Sequence, residues 1–503
     1  MNAPTNFDLD ALKADLSAKS RELFIGGKYV PAASGETIDV VNPATGQSFA
    51  TAAAGGEEDI NRAVAAARKA FDGGWPQTSP AQRARLMLKL ADLIEANADE
   101  LAFTETLDNG MPLMMAKMGA VGAAAEQLRY NAGWATKITG ETITPSFPGE
   151  WQCMTLRQPV GVVGAIVPWN FPFAMAVSKL AAALAAGCTI VLKPAEQTPL
   201  TAALLGRLIG EAGFPEGVVN IVTGYGHSAG AALAAHPDVN KVSFTGSTAI
   251  GKEIIRASTG NLKRVTLELG GKSPTVIFGD ADLSKAIPSA AMGIFGNSGQ
   301  VCAAGSRLFA HESVFEQVVE GISAMAQNLK VGSGLSPETQ MGPLVSDKQQ
   351  ERVLSYIESG GSEGASVAVG GGTVTPEGCE GGYFVQPTVL TGTVSGMKVV
   401  EEEIFGPVLC AMRFGDDDID MIAKSANASD YGLSSSIWTE NITSALKLAR
   451  RLEAGNVRIN GVGGGVDPAL PLGGFKQSGW GRECGRAGVE AYTELKTVSI
   501  GLG

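Results

Sequence analysis

Two side chains in this 503-residue sequence could form a nucleophile and base pair, the thiol of Cys302 and the carboxylate of Glu268. Cys302 sits in Asn297-Ser298-Gly299-Gln300-Val301-Cys302-Ala303-Ala304-Gly305, and Glu268 in the apolar run Val265-Thr266-Leu267-Glu268-Leu269-Gly270-Gly271-Lys272. A free cysteine is ordinarily a small buried hydrophobe. Glycine-rich surroundings argue otherwise, because they pack poorly as core and let backbone amides approach a ligand. A lone glutamate in a Val/Leu strand is costly to bury charged, so it must be paired, sit at the strand end, or stay partly protonated. Such a pair would serve covalent attack followed by general-base chemistry.

The elements that must position these groups follow from periodicity. Between residues 160 and 269, β-branched runs alternate with helical segments: strands at 160–167, 189–192, 218–222, 241–244 and 264–269, helices at 173–186, 200–212, 228–235 and 248–258. This repetition predicts right-handed crossovers and a parallel sheet, with ligands beyond the carboxyl ends of the strands. After Gly270-Gly271 a second α/β series runs from Thr275 to about Leu472. Segment 141–157, with Pro145 and Pro148, fits neither series and reads as a projecting hairpin. Earlier in the chain, Leu86, Leu90, Leu93 and Ile94 mark a helix with Ser79 as N-cap and Pro80 at its first position. Segments 61–71 and 116–130 read as similar helices.

Further candidate groups fall just after predicted strands. In Pro168-Trp169-Asn170-Phe171-Pro172 two prolines stiffen a loop, so the Asn170 amide is either an oxyanion donor or a turn-forming asparagine. In Lys193-Pro194-Ala195-Glu196 the carboxylate can accept both ribose hydroxyls of an adenine dinucleotide. A ribose phosphate would meet it as a like charge, a repulsion of roughly 4 kcal/mol at a separation of 4 Å and an effective dielectric near 20. That favours NAD over NADP, although Lys193 weakens the preference. Thr245-Gly246-Ser247-Thr248 opens a helix whose N-terminal amides suit a pyrophosphate. Gly224-Tyr225-Gly226-His227-Ser228-Ala229 matches the dinucleotide fingerprint only loosely, and after the third strand rather than the first; by itself it is a turn.

Composition bounds the rest. A chain of this length predicts two or three domains, and 65 Gly with 6% aromatics suits close-packed helices on a parallel sheet. With a net charge of −12 and no Lys/Arg stripe, nucleic acid is excluded as an expected partner. Cysteines at 153, 188, 302, 379, 410 and 484, with three scattered histidines, predict neither a metal site nor a disulfide framework. The polar first 21 residues lack a secretory core. The apolar stretch 160–192 is broken by Pro168, Asn170, Pro172 and Lys179, too short to span a membrane. A cytoplasmic location is expected.

Taken together, the segments Pro168-Trp-Asn-Phe-Pro172, Lys193-Pro-Ala-Glu196, Phe244-Thr-Gly-Ser247, Leu267-Glu-Leu-Gly-Gly271, Gly299-Gln-Val-Cys302 and Glu402-Glu-Ile-Phe-Gly-Pro407 resemble, in order, those of the aldehyde dehydrogenase superfamily. The resemblance runs from about Leu23 to Val498. It implies a Rossmann-like parallel-sheet NAD-binding domain (1–140 and 158–270), a second α/β catalytic domain (271–472), and a small β oligomerisation region (141–157 and 473–503) giving homodimers or homotetramers. It further implies that Cys302 attacks an aldehyde, that Asn170 and the Cys302 N–H hold the oxyanion, that hydride passes to the nicotinamide, and that Glu268 activates water to release the acid. Cofactor contacts would come from Trp169, Lys193, Glu196, Gly226, Gly246, Ser247, Glu403 and Phe405. Lys179 and Glu483 would form a proton path.

Substrate preference is read from the tunnel positions. Ala123, Ser178, Gly296, Val301, Ala303 and the loop 461–465 would leave it roomy, unless backbone shifts refill the space, while Phe171, Met175 and Phe295 keep it apolar. A bulky aromatic aldehyde such as phenylacetaldehyde fits better than acetaldehyde, and segment 297–307 is similar to that of phenylacetaldehyde dehydrogenases. Alternatives are a medium-chain aliphatic aldehyde or semialdehyde, a CoA-acylating relative, in which Glu268 has no obvious use, and a non-catalytic protein retaining the fold.

Overall fold

The β-branched runs form the five central strands of an eight-stranded sheet in the computed structural model, which describes residues 8–19, 22–415, 418–461 and 467–502. Across this sheet the order is Lys28–Pro31, Glu22–Ile25, Val219–Ile221, Thr189–Lys193, Val162–Ile166, Lys241–Thr245, Arg264–Glu268, Gly479–Trp480. The central five are mutually parallel and follow the 3-2-1-4-5 order of a doubly wound fold. Its topological switch, where ligands bind in such sheets, lies between Val162–Ile166 and Lys241–Thr245. Strands Val162–Ile166, Thr189–Lys193 and Lys241–Thr245 are buried throughout, as helices covering both faces require.

Helices Pro172–Ala186, Leu200–Ala212 and Thr248–Ser258 lie where the periodicity puts them, and Ser79 caps Pro80–Ala96 by accepting from Gln82 N. Helix Ala231–Ala235 starts with a π turn, Gly226–Gly230, and a π segment, Ala116–Gly122, joins Leu113–Met115 to Ala123–Trp134.

The second sheet runs Ser366–Val369, Thr388–Thr391, Val408–Phe414, Arg307–His311, Pro274–Ile277, Ser434–Trp438, Asn456–Ile459. It is parallel except for its first pair. Separate apolar clusters fill the two sheets' faces.

The C-terminal segment divides between two sheets. Gly479–Trp480 pairs antiparallel with Leu267 and Glu268, closing the edge beside the candidate base. Thr493–Gly501 joins Trp151–Pro159 and Thr142–Ile143 in a three-stranded antiparallel sheet. No helix among the described residues is long and apolar enough to cross a membrane, and none of their His, Cys, Asp and Glu side chains group as a metal site.

Candidate active site

The nucleophile loop is held in a conformation that non-glycine residues rarely adopt. After helix Leu283–Phe295, Asn297 (φ 49°), Ser298 (φ 56°) and Gly299 (φ 71°) are left-handed in succession, a strain that persists only where surrounding bonds impose it. Four side-chain hydrogen bonds do so. Asn297 Nδ2 donates to Asn170 O at 2.9 Å, Ser298 Oγ to Gly342 O at 2.8 Å, and Gln300 Nε2 to Asn297 O at 3.3 Å, while Val345 N donates to Gln300 Oε1 at 2.9 Å. Gly299 is required for space as well as for φ, because a Cβ there would lie 2.0 Å from Gly406 O. The turn brings Cys302 against the end of the Glu268 strand: a Cβ on Gly271 would lie 2.2 Å from Cys302 O. Asn170 closes the third side, donating its Nδ2 to Gln300 O at 2.9 Å.

Electrostatics follow from this crowding. Cys302 is half-buried; burial pushes its thiol up to about 12, and the charges of Glu403 and Glu268 add to the effect. Glu268, the last residue of its strand, is 5% exposed, and its Oε2 is buried without a hydrogen-bond donor among the described residues. Burial first, then the charge of Glu483, raises its carboxyl well above the ordinary 4.5, with Lys179 and Arg482 opposing. A carboxyl raised in this way is basic enough to take a proton from water near neutral pH. Buried Lys179 is ion-paired with Glu483. Ser243 Oγ bridges them, accepting from Lys179 Nζ at 3.0 Å and donating to Glu483 Oε1 at 3.1 Å.

The candidate cofactor residues cluster around the topological switch. Lys193 Nζ, almost fully buried, lies 3.1 Å from Glu196 Oε2. Burial works to raise the Glu196 carboxyl, but Lys193 and the backbone N–H of Gly226 help bring it below its ordinary value. Glu196 is thus a carboxylate, able to accept from ribose hydroxyls. Ser247 caps helix Thr248–Ser258 by accepting from Ile250 N at 3.4 Å. Gly246 gives its own N–H to Glu268 O at 3.0 Å, so it ties this turn to the base instead of offering a donor to a phosphate. From the segment before strand Val408–Phe414, Phe405 (φ 62°) meets Trp169 edge-on at 5.2 Å, and Glu403 Oε1 accepts from Gly271 N at 2.9 Å. Carboxylates at Glu196 and Glu403, helix-terminal amides and an aromatic pair at a switch point form a donor and acceptor set that fits a dinucleotide.

Of the expected tunnel residues, Ala123, Phe171, Met175, Ser178, Gly296, Val301 and Ala303 are half-buried. Phe295 is 0% exposed and packs in the second sheet's core with Ile294, Leu308 and Trp438. Of the loop 461–465 only Gly461 falls within the described residues. Asn297, Gln300, Ser243 and Arg482 carry parts of the site that sequence reasoning did not assign. Asn297 and Gln300 stand in the quoted nucleophile segment, where an amide beside a glycine was a usable signal; Ser243 and Arg482 gave none.

This arrangement has close counterparts. The profile described as "Aldehyde dehydrogenase family" matches residues 29–498. A phenylacetaldehyde dehydrogenase of Pseudomonas fluorescens is 48% identical over 485 residues, 95% of this chain and 95% of that protein. The structure of an aldehyde dehydrogenase from Bacillus cereus as its NAD+ complex superposes with a TM-score of 0.95 at 49% identity, covering 99% of this chain and 100% of that one. An indole-3-acetaldehyde dehydrogenase of P. syringae, in complex with NAD+ and IAA, superposes with a TM-score of 0.95 at 42% identity, covering 99% of this chain and 100% of that one. The chain belongs to the aldehyde dehydrogenase family.

Proposed function

We propose that this protein oxidises a bulky apolar or aromatic aldehyde, of the phenylacetaldehyde kind, to its carboxylic acid with NAD, through a thioester on Cys302. The observation that carries the reading is the convergence of three chain segments on Cys302: its carbonyl lies against Gly271, Asn170 bonds the carbonyl of Gln300 two residues before it, and the charge of Glu268 acts on its thiol. The Cys302 thiolate adds to the carbonyl carbon, and the C=O electron pair moves to oxygen, where the Asn170 amide and the Cys302 N–H receive it. Asn170 keeps one Nδ2 proton for this after donating the other to Gln300. The carbonyl re-forms as the C–H bond gives up its hydride, for which NAD, when bound, supplies the acceptor, and a thioester is left on Cys302; the NAD+ complexes of the B. cereus and P. syringae relatives support this cofactor. Glu268 then takes a proton from water, the hydroxyl adds to the thioester carbon, and the C–S bond breaks to return the thiolate. Glu483 and Lys179 offer the proton on Glu268 a buried route away.

Small residues at Ala123, Ser178, Gly296, Val301 and Ala303, beside apolar Phe171 and Met175, support the substrate class. So do the arylacetaldehyde names of two relatives. Apolar side chains exposed on the three-stranded sheet, Trp151, Leu156, Leu495 and Ile500, support assembly into homodimers or homotetramers. The test is kcat/KM with NAD for phenylacetaldehyde, benzaldehyde, hexanal, acetaldehyde and betaine aldehyde. Phenylacetaldehyde is expected to lead, and an acetaldehyde preference would overturn the substrate assignment.

A further inference from the structure

The last turn of helix Ala98–Asn109 carries three polar side chains, Glu105, Asp108 and Asn109, that are each at most 1% exposed. Residues three and four apart share a helix face, so the three point together into the core. Neither carboxylate has an ion-pair partner among the described residues, and each acts on a helix that follows a functional loop. Glu105 Oε1 accepts from Phe173 N at 3.3 Å and its Oε2 from Thr201 Oγ1 at 3.0 Å. Asp108 Oδ2 accepts from Leu200 N at 2.9 Å. Asn109 Nδ2 donates to Trp169 O, the carbonyl just before Asn170, at 2.7 Å.

The receiving helices explain why this is needed. Helix Pro172–Ala186 has Phe171 at its N-cap and helix Leu200–Ala212 has Pro199, and neither has a side-chain capping bond of its own. Both N-termini are buried, so their first N–H groups would otherwise be orphaned at a cost of about 1–3 kcal/mol each. Carboxyl oxygens supplied by a third helix satisfy them. One helix turn therefore fixes the loop that carries Asn170 and the loop that carries Lys193 and Glu196.

We propose that Glu105, Asp108 and Asn109 are positioning residues, a remote double cap that sets the oxyanion amide of Asn170 and the cofactor-binding carboxylate of Glu196 on one rigid frame. The proposal rests on the roles given to Asn170 and Glu196 above. Glu105 ties both helices, but Asn109 bonds the Asn170 loop and Asp108 the helix that follows Glu196, so damage at these two is separable, which a general loss of packing would not be.

The experiment compares the NADH burst rate constant at saturating NAD with the NAD dissociation constant. Asn109→Ala is expected to slow the burst about ten-fold, for one lost buried hydrogen bond, with NAD affinity within about two-fold. Asp108→Ala is expected to weaken NAD about five- to ten-fold by the same reckoning and to leave the burst at saturation near the parental rate. Asp108→Asn, which keeps an acceptor for Leu200 N, should restore both. If Asp108→Ala fails to fold, the split in Asn109→Ala decides alone. An unaltered burst in Asn109→Ala beside a defective Asn170→Ala would overturn the anchoring, as would both parameters falling together in Asn109→Ala. An unaltered burst in Asn170→Ala would instead overturn the oxyanion reading beneath it.

Discussion

Asn170 and Asn297 clasp each other's loops: Asn297 Nδ2 donates to Asn170 O at 2.9 Å, while Asn170 Nδ2 donates to Gln300 O at 2.9 Å. The loop of Asn170 leaves the first sheet and the loop of Cys302 enters the second, so these two bonds link the two sheets. They hold the sulfur-bearing segment in register with the amide that must receive the oxyanion, and they help keep Asn297 and Ser298 left-handed. Preorganisation of this kind places the reorganisation cost in folding and not in the reaction.

Acylation and deacylation use different groups, so they can be separated. With Glu268→Gln, the account expects an NADH burst near one equivalent per active subunit followed by steady turnover slowed about 10²–10⁴-fold, the range for a lost general base. Stopped-flow absorbance at 340 nm reads both phases. Unchanged steady turnover would remove Glu268 from the mechanism.

The thiol's ionisation is suppressed by its surroundings. Burial first, then the charges of Glu403 and Glu268, puts it at about 12. Thiolate is the reactive form, so alkylation of Cys302 by iodoacetamide should keep accelerating with pH through pH 9 without a plateau. Removing a nearby negative charge favours the thiolate, so Glu403→Gln should alkylate faster than the parent at pH 9. A plateau near neutral pH would contradict this picture.

Cofactor choice is assigned to Glu196, a carboxylate beside Lys193. Glu196→Ser removes the charge that would repel a ribose phosphate and leaves Lys193 to attract one. The ratio of kcat/KM for NADP to that for NAD should rise at least about ten-fold, equivalent to 1.4 kcal/mol. An unchanged ratio would move cofactor discrimination elsewhere.

Glu105 makes stability depend on pH in the direction opposite to a salt-bridged acid. Burial raises its carboxyl to about 7, against the bonds from Thr201 and Phe173. The folded state thus binds its proton more tightly than the unfolded chain. Below about pH 4.5 the group is neutral in both states; as pH rises from there through 7 stability falls, by about 3 kcal/mol at 1.36 kcal/mol per pKa unit. Glu105→Gln keeps an acceptor for Phe173 N and a donor for Thr201, so its unfolding midpoint should drop less between pH 5 and pH 8 than the parent's. Equal drops would contradict this assignment.

The sequence showed the parallel strands because burial on both faces demands continuous β-branched runs, and it offered Cys302, Glu268 and Asn170 as candidates because each stands in a loop or strand end with unusual neighbours. It did not show the edge strands Glu22–Ile25, Lys28–Pro31 and Gly479–Trp480, which are too short to carry a period. Nor did it show that Phe295 faces the core. The caps from Glu105 and Asp108 were illegible for another reason: they act on backbone atoms 68 and 92 residues away, and a buried carboxylate in a helix looks the same in sequence as a solvated one.

The most direct measurement is the mass of the Cys302-containing peptide after Glu268→Gln protein is mixed with NAD and phenylacetaldehyde and quenched within the burst. An acyl group is expected on that peptide, near one per active subunit, that forms only when NAD is present. An unmodified Cys302 peptide accompanied by a full NADH burst would contradict covalent catalysis at this residue.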